Sequence, residues 1–233
     1  MTPPTETPGI RANFLIKRRP ESSREELIAH WFANHMPGVI DLMGDTAQRY
    51  WATLFDEGDN LPWDGLAQMQ LADEMATPAE PFGTKPSDSF QEYAEPYKLW
   101  STREYVVIDG LEHLPVRPLT LNAPFPTSRS GFYKVTSFLQ AKEDADLAAF
   151  FDHWLGVHAP IVDQRMRDHG GFRYVINHSL HPDNAPYTGI AEMYFHTAED
   201  WARYLLAVEP DGMENFVGSM VRQTSQTEMI GIP

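Results

Sequence analysis

His30-Trp31-Phe32-Ala33-Asn34-His35-Met36-Pro37 returns 123 residues later as His153-Trp154-Leu155-Gly156-Val157-His158-Ala159-Pro160. Both copies read H-W-x-x-x-H-x-P. A second stretch behaves the same way. Trp63-Asp64-Gly65-Leu66-Ala67-Gln68-Met69 returns as Tyr187-Thr188-Gly189-Ile190-Ala191-Glu192-Met193, displaced by 124, and Tyr50 and Tyr174 share that displacement. Two motifs at nearly one displacement indicate a duplication. The period is too long, and two copies too few, for a solenoid. The expected organisation is a first module over residues 10–110, a linker over 111–130 and a second module over 131–233. Pro115, Pro118, Pro124 and Pro126 mark the linker as irregular and extended.

Each half predicts the same elements. In the first, Arg11–Lys17 is a short strand, and Ser22 and Ser23 stand three residues before Glu25 and Glu26, a capping box that opens a helix. Leu27, Trp31 and His35 lie on one stripe of that helix, and the proline after the motif is expected to interrupt it. Strands follow at Arg49–Phe55 and Gly65–Leu71, then a weak helix, then Glu104–Asp109. The second half gives strand Phe132–Leu139, helix Asp144–Val157, strands Phe172–Leu180 and Gly189–His196, helix Ala198–Leu206 and strand Thr227–Ile232. Thr77–Pro96 reads as an insertion with no counterpart in the second half, and Met1–Gly9 as disordered. The order β-α-β-β-α-β is the split βαβ, or ferredoxin-like, pattern. The predicted fold class is therefore α+β: two tandem ferredoxin-like modules whose sheets close on each other as an intramolecular dimeric-type α/β barrel.

Composition narrows the function. The 233 residues contain no cysteine, which excludes disulfides, iron–sulfur clusters, thiolate zinc and a cysteine nucleophile. With 33 acids against 18 bases the net charge is −15, unfavourable for nucleic acid or anionic membranes as partners. No apolar run is long enough to span a bilayer, and the opening MTPPTETPGI does not read as a secretory signal, so a cytoplasmic location is expected. There is no G-x-G-x-x-G, G-x-x-x-x-G-K-[ST] or G-x-S-x-G, so nucleotide binding and a serine-hydrolase elbow lack support.

The candidate chemistry rests on histidine. In the second helix Leu147, Phe150, Phe151, Trp154, Leu155 and His158 share one face. A histidine there is either a core residue bonded to backbone or a group that holds and releases a proton near neutral pH. An i, i+5 pair is a poor metal site on a helix, so no metal is expected. Along Gly189–His196 the small and apolar residues are expected to face the helices, and Glu192 and Tyr194 either to line a polar cavity on the opposite face or to stand on a face that is simply solvated. In Tyr174-Val175-Ile176-Asn177-His178 the tyrosine and histidine share a face and Asn177 points away. Asn177 is equally readable as a strand-end contact. The first-half counterpart keeps Tyr50 and loses the Asn-His pair.

The string from Phe14 to Pro37, F-x-I-K-R-R-P-x-x-S-R-E-E-L-x-x-H-W-x-x-x-H-x-P, resembles the EthD-like family of the dimeric α/β-barrel superfamily. So do H-W-x-x-x-H-A-P, R-Y-V-I-N-H and Y-x-G-I-A-E-M-Y-F in the second half. The resemblance implies two tandem EthD domains, each with a ligand pocket. It implies an enzyme working mostly without cofactor: a lyase, decarboxylase, dehydratase or isomerase on aromatic, phenolic, polyketide-like or lactone-like small molecules. The motif histidines carry over to His35 and His158, and the strand groups to Tyr174, Asn177 and His178. His158 would transfer the proton while His178, Tyr174 and Asn177 orient or stabilise an anion; His35 and Asp64 would serve the first pocket. Trp31, Trp51, Trp154, Tyr50 and Tyr187, with Glu192 and Tyr194, would bind substrate. Alternatives are a cofactor-free monooxygenase, a non-catalytic binding protein and a haem protein with His158 or His178 as axial ligand. A homodimer is a possible assembly.

Overall fold

A computed structural model describes residues 4–116 and 124–233. Residues 117–123 of the expected linker, and residues 1–3, lie outside it. The elements in chain order are β1 (Thr5–Glu6), β2 (Ile10–Ile16), α1 (Arg24–His30), α2 (Met36–Met43), β3 (Ala47–Leu54), β4 (Gly65–Leu71), α3 (Ser89–Tyr93) and β5 (Leu99–Ile108). Then come β6 (Thr127–Ala141), α4 (Leu147–His153), α5 (Ala159–Asp168), β7 (Gly171–Ser179), β8 (Gly189–Phe195), α6 (Ala198–Leu206) and β9 (Val217–Ile232). The fold is α+β, and the pairings β1–β5, β2–β4, β3–β4, β3–β9, β5–β7, β6–β8 and β7–β8 are antiparallel.

The chain divides into two compact units. The N-terminal unit holds Gly9–Ser101, described residues of 115–130, and Ser225–Pro233. Its sheet runs β5-β2-β4-β3-β9. Ile10 faces Leu71 and Ile16 faces Gly65, while Leu54 at the end of β3 faces Thr227. The C-terminal unit holds residues 4–8, Thr102–Leu114 and Gly131–Thr224. Its sheet runs β9-β6-β8-β7-β5, with β1 added on β5. Thus β5 and β9 each contribute one stretch to one unit and a second stretch to the other. For that reason both outrun their predicted spans, Glu104–Asp109 and Thr227–Ile232. Within the Met1–Gly9 stretch expected to be disordered, the described residues are held instead: Thr5 pairs with Val106, and the Thr7 hydroxyl donates to buried Glu104 at 2.5 Å.

The helices follow from local sequence. Ser23 caps α1 with a reciprocal capping box to Glu26, and Thr197 caps α6 with one to Asp200. The expected interruption at the prolines does not occur. Trp31–His35 and Trp154–His158 each form a π-helical turn, in which the Met36 and Ala159 N–H groups reach back to the Trp31 and Trp154 carbonyls. The chain then continues as α2 and α5, with Pro37 and Pro160 in their first turns, where a missing N–H costs least. The extra residue in each wide turn carries the helix past its proline.

The two repeated motifs meet physically. A Cβ built on Gly65 would lie 2.8 Å from the Trp31 ring, and one built on Gly189 2.8 Å from the Trp154 ring. Each indole lies against a strand where no side chain is tolerated. Each unit has its own apolar core around that tryptophan. No helix among the described residues is long and apolar enough to cross a membrane.

Candidate active site

His35 and His158 sit at the ends of their π-helical turns. His35 Nδ1 lies 2.6 Å from Asp88 Oδ2, and His158 Nδ1 lies 2.7 Å from Asp211 Oδ2. In both pairs the partners are 53 residues apart. Asp88 is the cap of α3 and also accepts from the Gln91 N–H; Asp211 also accepts from the Met213 N–H. A carboxylate only accepts, so Nδ1 carries a proton in both rings. Burial pushes Asp88 up, but hydrogen bonds from His35 and backbone N–H groups outweigh it and hold the carboxyl below its ordinary range. Burial pushes His158 down more than Asp211 lifts it, which leaves a neutral imidazole at pH 7.

Each histidine lines a cavity with mostly apolar walls. The N-terminal unit's cavity, about 450 Å³, includes Phe14, Trp31, His35, Tyr50 and Met69. The C-terminal unit's cavity, about 580 Å³, includes Leu139, Trp154, His158, Met193 and Tyr204. Both lie on the helix-facing side of their sheets, since Ala67 and Met69, and Ala191 and Met193, are wall residues. The expected polar lining residues Glu192 and Tyr194 are not among the walls of these two cavities. Small residues on the helix side leave room there, and the polar face is occupied by its own hydrogen bonds. Lys134 Nζ lies 2.7 Å from Glu192 Oε1, and Asn177 donates to Glu192 Oε2 at 3.0 Å, all three buried. In the other unit Gln68 donates to Asn13, which donates to the Trp100 carbonyl.

The structure thus gathers Trp31, His35 and Tyr50 at one cavity and Trp154 and His158 at the other. Tyr174 stands behind Trp154, accepting its indole N–H at 3.2 Å; burial raises its phenol far above the ordinary range. The remaining predicted residues lie elsewhere. His178 is enclosed by Phe151, Trp154 and Tyr105, stacked on Phe151 at 4.1 Å, and burial pushes its pKa down to about 3. Its Nε2 is buried with no hydrogen-bond partner. His178 lies on the wall of neither His–Asp cavity, and no space for a haem is described at its buried Nε2. Tyr194 lies under Lys134, with Nζ 4.9 Å from its ring, and Tyr187 stacks on Phe138. Trp51 stacks under Arg11. Asp64 accepts from the Arg18 backbone N–H and pairs with its guanidinium, in a separate polar cavity without His35.

Sequence reasoning missed Asp88 and Asp211. A signal was present: the two aspartates, like buried Phe90 and Met213, are displaced by 123, as the histidines are. Reading Thr77–Pro96 as an insertion hid the match. Among the described residues no group of three or more His, Asp or Glu is arranged to hold a metal ion.

Residues 142–219 match the EthD domain. No curated protein matches the chain in sequence. Among solved structures, an anthrone oxidase-like protein is 12% identical with a TM-score of 0.54, covering 95% of this chain and 92% of that one. A chlorite dismutase from Candidatus Nitrospira defluvii, in complex with imidazole, is 10% identical with a TM-score of 0.52, covering 94% and 91%. These likenesses concern the fold.

Proposed function

We propose that this chain, which carries an EthD domain over residues 142–219, is a small-molecule enzyme that moves protons without a cofactor, of the lyase or isomerase kind. Its substrate is a flat, enolisable aromatic or polyketide-like compound. The observation that carries this reading is the His–Asp pair, built twice at one spacing, each at a mostly apolar cavity floored by tryptophan. His158 Nε2 takes the proton from carbon, and Asp211 steadies the imidazolium that results. The apolar walls hold the ring system and limit water. His35 and Asp88 take the same roles in the other cavity. The β-α-β-β-α-β order of each half supports reading it as one ferredoxin-like module.

The test uses anthrone, a flat tricyclic ketone with an acidic methylene, in D2O, following exchange of that methylene by proton NMR. The protein accelerates exchange. His158→Ala and His35→Ala together lower the acceleration by at least about a hundredfold, with the circular dichroism spectrum unchanged. Exchange equally fast in the double variant overturns the reading. Oxidation of the same carbanion by O2 is a second reading, prompted by the anthrone oxidase-like neighbour in fold; oxygen uptake with anthrone separates it from exchange alone.

A further inference from the structure

The two cavities share a His–Asp pair and differ in the cations on their walls. Among the described residues, the walls of the N-terminal unit's cavity contain no lysine or arginine. Those of the C-terminal unit's cavity contain Arg165 and Arg222. Arg165 is matched, its Nη2 lying 3.3 Å from Glu209 Oε2. Arg222 has no such partner. Its Nε donates to Ser137 Oγ at 3.3 Å, and Nη2 reaches only the Met220 sulfur, at 3.6 Å. A thioether is a weak acceptor, so the Nη hydrogens go to no protein oxygen. The guanidinium lies over the Trp201 ring, 5.2 Å from its centre, and that contact with the Ser137 bond fixes its orientation. Burial draws its pKa below the usual arginine range, so the charge is partly stripped of water.

Glu209, Asp211 and Glu214 also line this cavity, but Glu209 is taken by Arg165, Asp211 by His158, and Glu214 accepts from the Gly212 N–H, so among the described residues Arg222 is the wall cation held by no carboxylate. Lys98 and Leu99, which the repeat displacement places opposite Arg222, do not line the other cavity. A planar guanidinium with free Nη hydrogens fits a carboxylate in two-point contact.

We infer that Arg222 is the carboxylate anchor of the C-terminal unit's cavity, which takes an aromatic or polyketide-like acid, while the N-terminal unit's cavity takes a neutral ligand. This rests on the cavities being the ligand sites of the proposed function and narrows their substrate class. The acid's ring system lies along Trp154, Leu139 and Met193, and its carboxylate meets Arg222.

The test is binding to the full chain of two probes of similar shape, 2-naphthoate and uncharged 2-acetonaphthone, by calorimetry at pH 7.5. Arg222→Met raises the 2-naphthoate Kd about tenfold, as loss of a charge-assisted hydrogen bond at a partly exposed site should, and changes the 2-acetonaphthone Kd less than about twofold. Arg222→Lys recovers part of the loss. In the wild type 2-naphthoate shifts the His158 ring resonances and leaves those of His35 in place. Equal weakening of both probes, unchanged 2-naphthoate binding, or no 2-naphthoate binding by the wild type overturns the inference. The anthrone experiment fails independently: selection through Arg222 without proton exchange keeps the anchor and removes the acid–base role, and exchange with no dependence of 2-naphthoate binding on Arg222 does the reverse.

Discussion

His158 and Asp211 divide one task. The carboxylate fixes the imidazole tautomer, and Nε2 is left to meet substrate. With the other cavity silenced by His35→Ala, Asp211→Asn therefore lowers the remaining anthrone exchange by about tenfold to a hundredfold and shifts its pH profile, because the imidazolium loses its partner charge. Asp88→Asn does the same for the other cavity. His178 gives a different pH effect. Its native pKa is about 3, from burial, against an ordinary 6.5. Between those values the unfolded chain binds a proton and the native chain does not, so stability is full above pH 6.5 and is lost as pH falls toward 3. The slope approaches about 1.4 kcal/mol per pH unit. His178→Phe, which keeps a ring among Phe151, Trp154 and Tyr105, should flatten that slope in urea titrations at pH 6.5, 5.5 and 4.5; an unchanged slope would contradict the assignment. At this scale the sequence was a partial guide. It identified the motif histidines and tryptophans because repetition exposed them. The Asp partners, 53 residues downstream, share the repeat displacement of 123 but lie in irregular segments with no hydrophobic periodicity to draw the alignment to them.

The π-helical turns and the paired strands govern the next scale. Gly156 is exposed within its wide turn, and a Cβ there would meet nothing within 4 Å. Gly156→Ala should raise stability by about 0.5–1 kcal/mol, the difference between the two residues in a helix. Gly189→Ala should lower it by about 1–3 kcal/mol through overpacking against Trp154 and the Asn177 carbonyl. Thermal denaturation of both variants checks the pair, and equal midpoints would refute the account. Most elements were legible from sequence: the Ser23–Glu26 cap, Gly65–Leu71 and Ala198–Leu206 lie where expected. The helix continuing past each proline was not. A proline in a helical pattern ordinarily marks an end, and only the extra residue of the π-helical turn evades the rule.

On the scale of the molecule, β5 and β9 make the halves interdependent. The N-terminal unit's β3 is paired on one side by β4 and on the other by Thr227–Ile232, from the far end of the sequence. The C-terminal unit's β7 is likewise paired by Thr102–Ile108. Residues 10–110 expressed alone should thus give an aggregating or partly folded product, and adding residues 224–233 as a separate peptide should restore native-like spectra. A monomeric, cooperatively folded 10–110 fragment would refute this. The repeat itself was plain in the sequence, but the strand ends that leave their own half were not, because hydrophobic alternation says which residues pair and not with which neighbour.

The route of β9 also bears on synthesis. Ser225–Ile232 emerge from the ribosome long after β3, so the nascent N-terminal half carries an unpaired sheet edge while the rest is translated. Such an edge invites mispairing between neighbouring chains. Slow elongation through the second half would lengthen that exposure, and holding factors acting on nascent chains would matter more for this protein than for one whose modules close in the order they are made.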